Sequence, residues 1–184
     1  QRENAALCVR ALAVLGERGE VKVSGEDLLA GLADARWEGR MEEILPDVYL
    51  DGAHNPDGIG AFLESVKDGT KDSRILLYSS LAEKACGEMA EKIAASKLFE
   101  EIVVTEIESP RAASAGELAA LFGGRKVTVI EDLREAFTYC LRRKAAEGKV
   151  YIAGSLYLAG QVIALVREKR QSPGMGRSGG EAES

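Results

Sequence analysis

The run Asp51-Gly52-Ala53-His54-Asn55-Pro56 carries the single histidine of the chain, three residues after an acid. An imidazole and a carboxylate at that spacing, across a tight Gly-Ala turn, can both face one crevice. Their neighbours have a simpler explanation. Asn55 reads as a helix N-cap, Pro56 as the first helical residue, and Asp57 as a charge that complements the helix dipole. Asp51 and His54 are the two residues left for function. A second constellation is Gly154-Ser155-Leu156-Tyr157. Ser155 reads as an N-cap, and a helix N-terminus with a free hydroxyl and exposed N–H groups also suits a carboxylate or phosphate. The two readings are compatible. In Trp37-Glu38-Gly39-Arg40, the arginine is either a solvated charge or a planar clamp for phosphate or carboxylate. Lys84 and Arg111 read first as solvated charges; together they would make one edge locally positive.

The elements that must position these groups follow from periodicity. Residues 5–17 are rich in Ala and Leu at helical spacing. Ser24 with Asp27 three residues later predicts a short helix over 25–33. Residues 35–39 break the pattern as a connector. A strand–helix alternation then sets in, with strands at 48–50, 74–78, 101–105, 126–130 and 149–153. Helices are expected at 56–67, 83–96, 114–122, 133–146 and 156–169, and residues 41–45 add a possible antiparallel strand. Short β-branched runs separated by helices specify an α/β, Rossmann-like, doubly wound and mostly parallel sheet with helices on both faces. Ligands of such sheets bind at the carboxyl ends of the strands. That edge holds Asp51 onward, Ser79-Ser80, Thr105 onward and Gly154-Ser155.

Composition narrows the function classes. The net charge is −6, from 30 acidic and 24 basic residues, and aromatic residues are 5%. That balance argues against nucleic-acid binding. No apolar run approaches the ~20 residues of a membrane helix. Cys8, Cys86 and Cys140 lack metal-ligand spacing and read as buried, reduced thiols of a cytoplasmic protein. The pattern Gly174-x-Gly176-x-x-Gly179 follows a helix rather than a strand and opens no helix, so it is no dinucleotide fingerprint. Residues 171–184 read as a disordered tail. The start, Gln1-Arg2-Glu3-Asn4, without an initiator Met, reads as the interior of a longer chain.

In this order the motifs resemble the folylpolyglutamate synthase and dihydrofolate synthase family of the Mur-ligase superfamily. Gln1-x-x-Asn4-Ala5-Ala6 resembles the helix that closes the family's central ATPase domain. Trp37-x-Gly39-Arg40-Met41-Glu42 resembles its interdomain motif, and Asp51 to Pro56 matches D-G-A-H-N-P. Ser109-Pro110-Arg111-Ala112 resembles a later element, and residues 154–160 match G-S-L-Y-x-x-G. Glu83-Lys84 stands where the family often has Asp-Lys, a change that keeps the charge.

The resemblance implies ATP-dependent amide formation: a folate or dihydropteroate carboxylate becomes an acyl phosphate and L-glutamate attacks it. It implies that Asn4, Arg40 and Asp51 touch the nucleotide. Asp51, His54 and Ser155 become the catalytic set, with His54 and Ser155 facing the glutamate or the intermediate and His54 positioning first. The family's phosphate-binding loop, Mg2+ ligands and most of its folate site belong to an N-terminal ATPase domain, and the sequence contains no G-x-x-x-x-G-K-[ST] loop. The chain alone is therefore expected to be inactive. The implied domains are 1–17, a helix left from the ATPase domain; 18–36, a linker with a short helix; 37–170, the glutamate-ligase domain; and 171–184, the tail. The rivals are another Mur-type amino-acid ligase domain and a non-catalytic Rossmann-like binding module.

Overall fold

The computed structural model describes residues 2–35, 38–67, 73–83 and 85–171. Gln1, Trp37, Lys84 and the tail with its glycine pattern lie outside the described residues. The chain divides into two compact units, Gln1–Glu38 and Gly39–Ser184. The first holds α1 (Arg2–Glu17) and α2 (Gly25–Asp34). The Ser24 side chain accepts the Asp27 N–H while Asp27 reaches back to the Ser24 N–H, so α2 begins where the sequence puts its start.

The second unit contains, among the described residues, a six-stranded sheet in the order β1-β2-β6-β3-β4-β5. Its strands are β1 (Glu42–Leu45), β2 (Val48–Leu50), β3 (Arg74–Tyr78), β4 (Glu101–Val104), β5 (Val127–Val129) and β6 (Lys149–Ala153). Only β1 runs antiparallel, paired with β2; the other adjacent pairs are parallel. The helices are α3 (Pro56–Lys67), α4 (Cys86–Ser96), α5 (Ala115–Ala120), α6 (Leu133–Arg143) and α7 (Leu156–Gln171). The expected fold class is the observed one.

Alternation along each strand builds two cores. Leu76, Tyr78, Ile102, Val104, Tyr151 and Ala153 face α3, α4 and α5. Ile75, Leu77, Val103, Val150 and Ile152 face α6 and α7. The reason is handedness. From β2 through β5 the chain advances toward one edge, so right-handed crossovers keep α3 to α5 on one face. After β5 it reverses and inserts β6 between β2 and β3, which throws α6 and α7 onto the other. The loops leaving β2 and β3 lead to helices on one face and the loop leaving β6 to a helix on the other, the kind of strand-order reversal at which ligands of open α/β sheets bind.

Several boundaries differ from the sequence reading. Helix α4 starts at Cys86 rather than 83, because Leu81 bridges Ala112 and the Ala82 N–H donates to the Arg111 carbonyl at 2.8 Å. Helix α6 stops at Arg143, where Lys144 takes a non-helical ψ of 124°. Cys86 and Cys140 are buried free thiols as expected. Cys8 corrects that expectation: it is free but exposed, because it lies on the outer surface of α1 within a two-helix unit too small to enclose it.

Candidate active site

The carboxyl ends of β2 and β6 remain joined beyond the strands. The Asp51 N–H donates to the Ile152 carbonyl at 2.9 Å, and the Gly154 N–H donates to the Ala53 carbonyl at 2.9 Å. The turn 51–54 and the start of α7 are therefore one substructure. Gly154 has φ of 122°, and a Cβ there would stand 2.5 Å from the Ser79 carbonyl oxygen. At Gly52 a Cβ would meet Leu156 Cδ2 at 2.8 Å. Glycine at both positions lets the ends of β2, β3 and β6 close together.

Asp51 is half-buried. Its Oδ2 accepts the Met41 N–H at 3.0 Å and its Oδ1 accepts the Ala53 N–H at 2.9 Å. Burial pushes its carboxyl above the usual range; the two N–H bonds and the Arg40 charge oppose the rise. The sequence left this residue without a local structural role, and the geometry corrects that: the carboxylate ties two backbone segments together. Arg40 is exposed between them, and its guanidinium has no hydrogen-bonded partner among the described residues. His54 is exposed, with Nδ1 at 2.9 Å from the Gly52 carbonyl oxygen. A carbonyl can only accept, so Nδ1 carries the proton and Nε2 of the neutral ring is an acceptor. Asn55 and Pro56 do what their positions suggested: Asn55 Oδ1 accepts the Gly58 N–H at 2.7 Å, and Pro56 opens α3.

Ser155 caps α7, accepting the Tyr157 N–H at 3.1 Å. It is only 3% exposed, so the expected free hydroxyl is corrected: Oγ is enclosed and already engaged as an acceptor, because the Gly154 turn seats it against the sheet. Arg111 lies at the same edge, because the Ala113 N–H donates to the Ser80 carbonyl at 3.1 Å. Its guanidinium stands 3.7 Å from Glu83 and makes a long, 3.5 Å contact with the Tyr157 hydroxyl. Glu83 matches its charge, and Lys84, the other half of the expected positive edge, lies outside the described residues.

Arg40, Asp51, His54 and Ser155 thus converge on one edge of the second unit. Asn4 belongs to the first unit, where it is exposed on α1. Glu42, quoted only as part of the interdomain motif, takes a definite contact: its Oε2 accepts the Gly39 N–H at 2.7 Å. Its place in the motif Trp37-x-Gly39-Arg40-Met41-Glu42 is the signal that could have found it. Among the described residues no group of three or more His, Cys, Asp or Glu side chains could hold a metal ion, and no helix is long and apolar enough to cross a membrane.

The chain is similar to known proteins in sequence and in fold. The dihydrofolate synthase/folylpolyglutamate synthase of Bacillus subtilis is 32% identical over 165 residues, which cover 88% of this chain and 38% of that protein. The Mycobacterium tuberculosis folylpolyglutamate synthase complexed with ADP superposes with a TM-score of 0.75 at 26% identity, over 85% of this chain and 38% of that one. Escherichia coli FolC, in complex with DHPP and ADP, has the same fold, with a TM-score of 0.83 at 24% identity over 93% of this chain and 40% of that one. The chain therefore spans about two fifths of the length of these relatives. The family model for the Mur ligase, glutamate ligase domain, matches residues 39–156, a stretch that runs from the Gly39 turn through the joined ends of β2 and β6 to the first residue of α7, and to that family the chain belongs.

Proposed function

We propose that this chain is the C-terminal part of a cytoplasmic, ATP-dependent ligase that joins L-glutamate to folate or dihydropteroate through an acyl phosphate. The observation that carries the reading is the union of the 51–54 turn with the α7 N-terminus through Gly154 N–H and the Ala53 carbonyl. It brings an imidazole acceptor and a helix N-terminus to one crevice. In this reading Nε2 of His54 accepts a hydrogen bond from the glutamate amine and holds it for attack. The N-terminus of α7, ordered by Ser155, faces negative charge on the amino acid or the intermediate. Arg40, exposed and with no hydrogen-bonded partner among the described residues, suits a nucleotide phosphate. Asp51 contributes through the loops it ties, and its partly exposed carboxylate has lone pairs left for a ribose hydroxyl.

The chemistry is mostly positioning and electrostatic stabilisation of a transferring phosphoryl group. Mg2+ would be held, with the phosphate-binding loop, by an N-terminal ATPase domain of the same polypeptide, as the family resemblance implies. Free Cys86 and Cys140 suit a reducing compartment.

The test is a steady-state assay with ATP, L-glutamate and a reduced folate. The 184-residue chain should show no turnover, whereas the complete enzyme should turn over. His54→Gln in the complete enzyme should raise KM for glutamate about tenfold or more, the scale of one lost hydrogen bond to a charged group. Clear turnover by the chain alone would overturn the reading.

A further inference from the structure

We infer that Glu42 is a positioning residue: with Asp51, it clamps the loop 39–41 so that Arg40 is held ready for an anion before any ligand arrives. The inference rests on the proposed role of Arg40 and concerns how that role is prepared.

The loop is an unusual piece of backbone. Gly39 has φ of 73° and the next residue but one, Met41, has φ of 44°. A methionine in the left-handed region is strained, and such a residue persists only where its surroundings over-determine it. Three hydrogen bonds do so here. Glu42 Oε2 accepts the Gly39 N–H at 2.7 Å, the Gly39 carbonyl accepts the Gly52 N–H at 2.6 Å, and Asp51 Oδ2 accepts the Met41 N–H at 3.0 Å. The backbone is therefore pinned on both sides of Arg40. Two of the three acceptors are carboxylates, and N–H bonds to carboxylates are shorter and stronger than those to neutral oxygens.

Each anchor has its own support. Glu42 begins β1 and lies opposite Leu50 on β2, so the sheet fixes its Cα. Asp51 directly follows β2 and donates its own N–H to Ile152 on β6. The two carboxylates thus reach the loop from adjacent strands, while the Arg40 side chain remains exposed. Nothing in helix or strand formation demands this loop. It fits a group that must meet a charged ligand without first ordering its own backbone, which lowers the entropy lost on binding.

The experiment reads amide hydrogen exchange of this chain and of its Glu42→Gln and Glu42→Ala variants. The Met41 and Gly52 amides should be protected in the parent. Glu42→Ala should speed exchange at both by about tenfold or more while amides of β3 and β4 stay protected, which reports an intact fold. Glu42→Gln keeps an oxygen acceptor and should stay within about threefold of the parent. In the complete enzyme, Glu42→Ala should raise KM for ATP with little change in kcat, and Glu42→Gln should restore it. Unchanged exchange at Met41 in Glu42→Ala, or Glu42→Gln behaving like Glu42→Ala, overturns the clamp. If Arg40→Ala leaves KM for ATP unchanged, the nucleotide role of Arg40 fails instead, and the exchange data still decide on Glu42.

Discussion

The motif that opens α7 contains two glycines whose replacement by alanine should act in opposite directions. Gly154 lies at φ of 122°, where residues with a Cβ are rarely found. A Cβ there would be 2.5 Å from the Ser79 carbonyl oxygen and 2.6 and 2.8 Å from two carbons of the Tyr78 ring. None of these can yield cheaply: the oxygen is backbone at the end of a central strand, and Tyr78 is fully buried, edge-on to Phe122 with ring centroids 5.3 Å apart. The backbone strain costs about 1–2 kcal/mol. Overpacking adds about 1–3 kcal/mol. Gly154→Ala should therefore lose about 2–5 kcal/mol, from a domain whose whole stability is about 5–15 kcal/mol. At about 3 °C per kcal/mol for a unit of this size, the melting temperature should fall by about 10 °C. Gly160 lies inside α7 with no atom within 4 Å of a would-be Cβ. Gly160→Ala should gain about 0.5–1 kcal/mol through helix propensity and a less flexible unfolded chain. Urea unfolding of both variants of the chain gives the comparison. A loss below about 1 kcal/mol for Gly154→Ala, or an equal loss for Gly160→Ala, would refute the reasoning.

Glu101, 3% exposed at the start of β4, should make the fold acid-labile. Burial alone would raise its carboxyl, but hydrogen bonds from Thr128 (2.6 Å), Lys126 (2.9 Å) and Tyr139 (2.9 Å), with the Lys126 charge, hold it at about 2. A folded-state value below the ordinary 4.5 means stability that is complete above that pH and lost as pH falls toward 2. The full shift corresponds to about 3 kcal/mol; because the Lys126 and Arg143 side chains are 56% and 57% exposed, about 1–2 kcal/mol is expected. Glu101→Gln should flatten the pH dependence of unfolding across that window, and an unchanged slope would count against the argument. Ser155→Ala removes the α7 cap and should cost about 1 kcal/mol in denaturant unfolding of the chain. Ser24→Ala breaks the capping box of α2 and should lower helical circular dichroism without shifting the main unfolding transition, because α2 belongs to the other unit.

The sequence made the elements legible where pattern and punctuation agreed. Pro56–Lys67 carries a cap, a first-position proline and an apolar stripe of Ile59, Phe62, Leu63 and Val66, and it forms over that span. The start of α4 was misread because Glu83 suits a helix, whereas the Leu81–Ala112 bridge that delays it pairs residues 31 positions apart. Strand order was beyond periodicity altogether, since nothing local tells β6 to lie between β2 and β3. In the candidate site, the motifs pointed to two turns, 51–54 and 154–155, and the Gly154 N–H to Ala53 carbonyl bond joins them. They could not reveal that the Asp51 carboxylate is spent on two backbone N–H groups, one of them ten residues upstream on a left-handed methionine. Long-range backbone acceptors and positive φ at a non-glycine residue leave no mark in composition or spacing.

The position of β6 has a consequence for synthesis. Of the six described strands the last in chain order is a central one, hydrogen-bonded on one side to β2 and on the other to β3. Until it arrives, the earlier strands form two unconnected pieces, β1-β2 and β3-β4-β5, each with a bare apolar edge. Such edges are templates for pairing with other chains. Folding of the sheet must wait for residues 149–153, and a message cut short before residue 149 yields a sticky product rather than a weakened one.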